Sequence, residues 1–362
     1  MNKQSRVFIL GAGCSADYGY PLGVSLLTEL RNFLQEVPAD CPTIKKHVVE
    51  TVSLLATRPN IQTLDQLAQR IDLDLESWKK QRNSFLVDAE YLNKERVADK
   101  QILAAKIATS VMFEAREEKA RATGLAGYKR FIDSVLGGQP WQNAVAESDG
   151  HILTFNYDRL FEVAFQDYFN WPESSPICIY EKSVLNGGFD AREWDGFGFK
   201  SFQPVDGRFC FLKLHGSAGW WIQESKRGRL HWPGQPVKKF SFQDREVMLN
   251  KIENGQSKWE PLIAFPHERQ RSASGKTRFT WDAYLRTAEK SAAKVLAKAT
   301  EVRIIGYSFA PIDSRSVVGS FLSKIPQQAK IIVQNPDVET VKARLDAYPS
   351  LRGRCEFDPQ KF

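Results

Sequence analysis

Residues 6–23 read RVFILGAGCSADYGYPLG. The run Arg6–Leu10 has the character of a buried strand, and Gly11, Ala12 and Gly13 break it. Beyond the turn, Leu22, Leu26, Leu27, Leu30, Phe33 and Leu34 recur at helical spacing. A glycine turn between a strand and a helix can offer backbone N–H groups to a pyrophosphate, helped by the positive end of the helix. Ser15 can add a hydroxyl. The same glycines also suit a tight turn with no ligand, since glycine reaches conformations that a Cβ forbids. The later glycine and ribose-binding acid of the ordinary dinucleotide fingerprint are missing, which argues against a standard dehydrogenase.

The pattern of apolar run followed by polar loop returns along the chain. Residues 151–155 lead into Asn156, Tyr157 and Asp158, and residues 209–214 lead into His215. Residues 302–305 precede the loop GYSF at 306–309, and residues 329–333 precede QNPD at 334–337. A last short strand is expected at 355–357. Helical spacing marks residues 160–168, 281–296, 314–323 and 338–345, with Asp313 as an N-cap. Residues 43–136 differ in character. Glycine is absent until Gly124, and stripes such as Leu103, Ile107 and Val111, or Ile61, Leu64 and Leu67, predict four or five helices. Pro38 and Pro42 end the preceding helical region, and GGQP at 137–140 closes the insertion. Residues 171–259 read as irregular apart from one strand. The fold class is therefore α/β, a doubly wound Rossmann-like parallel sheet with an α-helical insertion. Residues 1–40 and 137–362 would form the sheet domain and residues 41–136 the insertion. In such sheets ligands bind beyond the C-terminal ends of the strands. Gly11, Asn156, His215, Gly306 and Asn335 all fall there.

Each candidate side chain has a chemical and a structural reading. Asn156 can hold a carboxamide or a water. Asp158 can hydrogen-bond a ribose or stabilise positive charge at an anomeric carbon. Either could instead cap the helix that follows. His215, next to Gly216 and Ser217, suits general-base work near neutral pH, or could bond a loop carbonyl. The other four histidines, His47, His151, His231 and His267, lack metal-ligand spacing.

Composition narrows the class. With 42% hydrophobic and 26% charged residues, the 362-residue chain is of globular type. It has no apolar run near the ~20 residues that span a bilayer. The first apolar run leads straight into a glycine turn and reads as a strand, not a signal peptide. A cytoplasmic protein with no membrane association is expected. Five scattered cysteines, Cys14, Cys41, Cys178, Cys210 and Cys355, include no CxxC pair, which argues against a disulfide framework and a zinc ribbon. The net charge is +7. Arg269, Arg271, Lys276 and Arg278 form one basic stretch. Lys226, Arg227 and Arg229, near Trp220, Trp221 and Trp232, form another. Such mixtures can bind nucleic acid or simply face solvent.

Taken together, the motifs resemble those of the sirtuin family, whose members cleave NAD. Residues 11–21 are similar to the family's GAG-x-S-x-x-x-GIP segment, with Tyr20 in place of isoleucine. TFNYD at 154–158 resembles TQNID, LHGS at 214–217 carries the histidine, GYSF resembles the GTS loop, and QNPD resembles the late Asn-containing turn. The resemblance covers about residues 5–30 and 125–340. It implies NAD contacts at Gly11, Ala12, Gly13, Ser15, Pro21, Gly306, Ser308 and Asn335, and catalytic roles for Asn156, Asp158 and His215. Ser308 and Asn335 would serve the adenosine half.

The departures select a branch. The two zinc-binding CxxC pairs of the deacylases are absent, Leu22-Gly23-Val24 replaces Asp-Phe-Arg, and Ile263 to Glu268 replaces the acyl-peptide-binding segment. The chain looks more like the sirtuin-like proteins of bacterial antiphage defence. These hydrolyse NAD as substrate, and many act as oligomers or with a partner, such as a HerA-like ATPase or a short Argonaute. The resemblance thus implies an NAD glycohydrolase with no zinc. A protein deacylase, an ADP-ribosyltransferase, or a non-catalytic nucleotide- or nucleic-acid-binding subunit are the alternatives. Metal analysis of the purified protein is expected to find no stoichiometric zinc; one tightly held zinc per chain would overturn the cysteine reading.

Overall fold

The computed structural model describes residues 5–22, 25–58, 61, 63–81, 89–137, 150–170, 210–224, 230–231, 240–257, 259–263, 265, 279–310 and 317–362. The elements are β1 (Arg6–Leu10), α1 (Gly13–Ala16), α2 (Leu26–Glu36), α3 (Pro42–Ala56), α4 (Leu64–Gln81), α5 (Ala89–Ala122) and α6 (Ala126–Leu136). Then come β2 (Gly150–Thr154), α7 (Leu160–Tyr168), β3 (Cys210–Lys213), β4 (Gly216–Glu224), β5 (Leu230–His231), α8 (Phe242–Glu253) and β6 (Trp259–Ile263). The chain continues with α9 (Phe279–Leu296), β7 (Glu301–Ile305), α10 (Val317–Leu322), β8 (Lys330–Gln334), α11 (Val338–Leu345) and β9 (Cys355–Asp358).

Six strands form one sheet in the order β3-β2-β1-β7-β8-β9. Every pairing within it is parallel. Parallel strands need both faces covered, and successive side chains divide between the two faces. Phe8, Leu10, Ile152, Phe211 and Ile305 join a core with α2, α3, α5, α6 and α7. Val7, Ile9, Leu153, Leu212, Val302 and Ile304 join a second core with α9, α10 and α11. The protein is a Rossmann-like α/β fold. Strand order runs outward from β1 in one direction through β2 and β3, and from β7 in the other through β8 and β9. The reversal lies between β1 and β7, where a doubly wound sheet opens its ligand crevice. A second, antiparallel sheet, β5-β4-β6, stands beside it.

Among the described residues six helices lie between β1 and β2, and four of them, α3, α4, α5 and α6, fall within 41–136. Pro42 does not end a helix; it is the first residue of α3, where its missing N–H costs nothing. Ile107 and Val111 are buried as their spacing predicted. Around them Ile102, Ala104, Ala105, Ala108 and Met112 are buried as well, so the middle of α5 is enclosed on all sides. Gly137, at φ +70°, ends α6 in the left-handed conformation that glycine favours.

Within 171–259 the described residues hold more regular structure than the one strand expected there. They hold the nine-residue strand β4 and the helix α8. Ser241 caps α8 by accepting from the Asp244 N–H at 3.2 Å. Only Glu246 and Leu249 of α8 are buried, so its hydrophobic stripe is thin and its cap is the stronger signal. Trp220 and Trp221 are both 3% exposed, which removes them as stacking surfaces for nucleic acid. The neighbouring basic residues 226–229, the stretch 269–278, and Asp313 lie outside the described residues. Among the described residues no helix is long and apolar enough to cross a membrane.

The β1/β7 junction gives a stability test. Gly306 has φ +64°, and a Cβ there would lie 2.6 Å from Cys14 N. Gly353 has a similar φ of +71° but open space around it. Gly353→Ala should cost about 1 kcal/mol of strain alone, and Gly306→Ala about 3 kcal/mol or more, because overpacking adds to it. Equal shifts in denaturant midpoint would refute the tight junction.

Candidate functional site

The turn after β1 is built against the turn after β7. Gly11 N–H donates to Ile305 O at 2.8 Å, and Gly13 N–H to Gly306 O at 2.8 Å. A Cβ on Gly11 would come within 2.6 Å of Tyr307 Cα, and one on Gly13 within 2.8 Å of Gly306 O. Cys14 N–H bonds Gly11 O and Ser15 N–H bonds Ala12 O, at 3.0 and 3.1 Å. The glycines thus serve a close backbone crossing, and the N–H groups of Gly11, Gly13, Cys14 and Ser15 already have backbone acceptors. Ala12 stands exposed at the corner of the turn. Pro21, half-buried, follows Tyr20, whose hydroxyl donates to Phe113 O on α5 at 3.0 Å.

Asn156 lies just past β2 and reaches back to this turn. Its side-chain amide donates to Gly11 O at 3.0 Å and to Ser15 Oγ at 3.4 Å. Its own N–H is held by Thr154 Oγ1 at 3.0 Å. Ser15 Oγ donates to Asp158 Oδ2 at 2.7 Å, and Asp158 Oδ1 accepts the Leu160 N–H at 3.1 Å. Of the two capping possibilities, Asp158 therefore does bond the first turn of α7, whereas Asn156 ties two strand ends together. Burial pushes the Asp158 carboxyl above its ordinary range; Lys213, the Ser15 hydroxyl and the Leu160 N–H pull it down, and Glu162 adds to the rise.

The Leu214 N–H bonds Thr154 O at 2.8 Å, so the β2–β3 ladder runs on to the residue before His215. The chain then turns sharply through Gly216 (φ +73°) into β4. Ala218 N–H and Ser217 Oγ both donate to Tyr157 O, at 2.7 and 3.2 Å. The His215 ring sits 5.1 Å from the Phe155 ring and 6.0 Å from the Tyr157 ring, between the two neighbours of Asn156. His215 is 7% exposed.

The late loops lie further along the same edge. Gly306 N–H bonds Gln334 O at 3.0 Å. Asn335 Nδ2 donates to Tyr307 O at 3.1 Å, while its Oδ1 accepts the Asp337 N–H at 2.9 Å. The Asn335 side chain thus joins the two loops. Ser308 is exposed, and its carbonyl accepts from Arg344 Nη1 at 3.0 Å. The structure brings Gly11, Gly13, Ser15, Asn156, Asp158, His215 and Gly306 together around β3, β2, β1 and β7. Ser308 and Asn335 follow at the ends of β7 and β8.

Three supports were not foreseen. Lys213 is buried and donates to the Asp158 carbonyl while pairing with Glu162 at 3.0 Å; both side chains are 1% exposed. A lysine inside a buried strand is itself a signal, since lysine is rarely buried without a partner. Arg159, next to Asp158, forms a two-pronged pair with Glu117 of α5 at 2.7 and 2.9 Å. Tyr128 of α6 lies 2.8 Å from Ser15 Oγ. Nothing in the sequence pairs residues from the insertion with the site. Among the described residues no cluster of His, Cys, Asp and Glu could hold a metal. No protein-family model matches the chain, and no curated protein matches it in sequence.

Removing one partner of a fully buried pair leaves the other charge uncompensated. Glu162→Gln should cost about 3–5 kcal/mol in chemical denaturation, and Glu162→Leu combined with Lys213→Met should recover most of it. A double variant as unstable as the single would show that the pair itself stabilises the fold.

Proposed function

We propose that the protein is a sirtuin-like NAD glycohydrolase, breaking the bond between nicotinamide and ribose. The observation that carries this reading is the Asn156 amide bonded to Gly11 O and Ser15 Oγ beside the β1/β7 reversal, with the His215 ring packed against both neighbours of Asn156. A carboxamide and a hydroxyl thus stand at the glycine turn, and an imidazole lies near the carboxamide. In this reading Ala12, Gly13 and Ser15 line the pyrophosphate side, with Gly11 and Pro21 shaping the turn. Gly306, Ser308 and Asn335 serve the adenosine half.

The reaction passes through an oxocarbenium-like transition state at the ribose C1′. Asn156 orients the attacking water or the nicotinamide carboxamide. His215 takes the proton as the water oxygen bonds C1′ and the C–N bond breaks. The products are ADP-ribose, nicotinamide and one proton. Asp158 acts from beneath, holding Ser15 and offsetting the positive charge that develops on the sugar. Zinc has no part in this scheme.

A chain able to exhaust NAD must be restrained in its host, so activity is expected to depend on assembly. A homo-oligomer, a HerA-like ATPase or a short Argonaute in antiphage defence are the partners this reading favours, with nucleic acid acting only indirectly. The helical insertion, 41–136, is the surface proposed for that control. One observation favours a second reading, a nucleotide-binding subunit without turnover: both Asp158 oxygens are already bonded within the protein.

Nicotinamide release from NAD, followed by chromatography with and without nucleic acid or the neighbouring gene product, separates the two. Hydrolysis should rise on activation, and His215→Ala should lower it roughly 10²-fold or more. Wild-type rates in both His215→Ala and Asn156→Ala would eliminate this site. NAD binding with no nicotinamide release under any condition would favour the second reading.

A further inference from the structure

The last helix of the insertion delivers a side chain to the floor of the site. Tyr128 on α6 is 1% exposed. Its ring packs edge-on against Phe362 at 4.8 Å and Phe161 at 6.4 Å, and tilted against Tyr18 at 5.6 Å. These contacts fix where its hydroxyl points, and the hydroxyl meets Ser15 Oγ at 2.8 Å.

Counting hydrogens gives the bonds a direction. A serine hydroxyl carries one hydrogen, and an ionised carboxylate carries none. With Asp158 ionised, the 2.7 Å bond uses the Ser15 hydrogen. Tyr128 must then donate to Ser15 Oγ, as the Asn156 amide also does at 3.4 Å. Donors from α6 and from the end of β2 converge on one serine oxygen, whose own hydrogen points at one buried carboxylate. Each bond in such a chain polarises the next.

We infer that Tyr128 is a positioning residue of the site: through Ser15 its hydroxyl stabilises the ionised Asp158 carboxylate and keeps the Ser15 hydrogen turned toward it. The role in turnover rests on the glycohydrolase reading; the hydrogen-bond relay does not. The charged and titratable groups facing Asp158 come from several elements. Lys213 on β3 favours its charge, and Glu162 on α7 opposes it. Burial drives the ionisation of Cys14 on α1, Tyr20 after it and Tyr128 itself upward, and the Asp158 charge adds to the rise. The donors to Ser15 Oγ are Tyr128 and the Asn156 amide. Losing the Tyr128 hydroxyl weakens the support of the carboxylate, so Asp158 should hold its proton to higher pH.

Tyr128→Phe keeps the ring and removes the donor. Carbon-13 titration of the Asp158 carboxyl, assigned with Asp158→Asn, reads the effect without any turnover. The midpoint should rise by roughly half a pH unit in Tyr128→Phe and roughly one unit in Ser15→Ala. In Tyr128→Phe the acidic limb of kcat for NAD hydrolysis should move with it, while KM changes less than about twofold. A tyrosine that only fills space would lower the thermal midpoint and leave the titration in place, and that result overturns the inference. If Tyr128→Phe fails to fold, an unchanged Asp158 titration in Ser15→Ala overturns it equally. A shifted titration in a protein that never releases nicotinamide upholds the relay and rejects the glycohydrolase.

Discussion

Two backbone turns cross at the centre of the sheet with no side chain between them. Gly13 N–H meets Gly306 O at 2.8 Å, and Gly11 N–H meets Ile305 O at 2.8 Å. A Cβ on any of the three glycines would come closer than 3.0 Å to backbone atoms. The crossing sets how near the ends of β1 and β7 lie, and so where the Gly11 carbonyl and the Ser15 hydroxyl stand. Asn156 reaches both because the turn is drawn in this tightly. The Asn156 bridge and the link to Asp158 both depend on this contact.

Around the crossing the protein buries more charge than stability requires. The pairs Lys213–Glu162 and Arg159–Glu117 lie under and beside Asp158. Burial pushes the Glu117 carboxyl above its ordinary range, and the Arg159 guanidinium opposes that. Desolvation offsets much of the attraction in such pairs, so their net stabilisation is small. What they supply is position. Arg159 also lies where a side chain on Gly219 would sit, with its Cζ 2.9 Å from an ideal Cβ there.

Helix α5 extends this frame. Ser110 accepts the Gly219 N–H at 3.1 Å, and Glu114 accepts Trp221 Nε1 at 3.1 Å and pairs with Arg245. With Glu117, these three residues form a polar stripe at helical spacing, facing β4 and the loop before α7. The insertion therefore bonds to the loop that carries Asp158 and to β4, the strand that follows His215. A change in its position has a direct route to both.

Much of the architecture was legible in the sequence. The apolar runs of β1, β2, β7 and β8 and the helical stripes of α2, α7, α9 and α11 are local patterns, and local patterns survive folding. So are Gly11, Asn156, His215, Gly306 and Asn335 at strand ends, because a strand that ends in a loop delivers its next residue to the sheet edge. Helix α8 was missed because it buries only Glu246 and Leu249, and β4 because its glycines and tryptophans read as irregular. By itself the sequence determined an alternating α/β chain and which polar residues would crowd one edge. Only the tertiary structure decided that the turn N–H groups bond inward, that Asp158 faces Ser15, and that Tyr128, Lys213, Glu162 and Glu117 support them. Those choices depend on which surfaces meet across tens to hundreds of residues of chain, and spacing along a sequence carries no record of that.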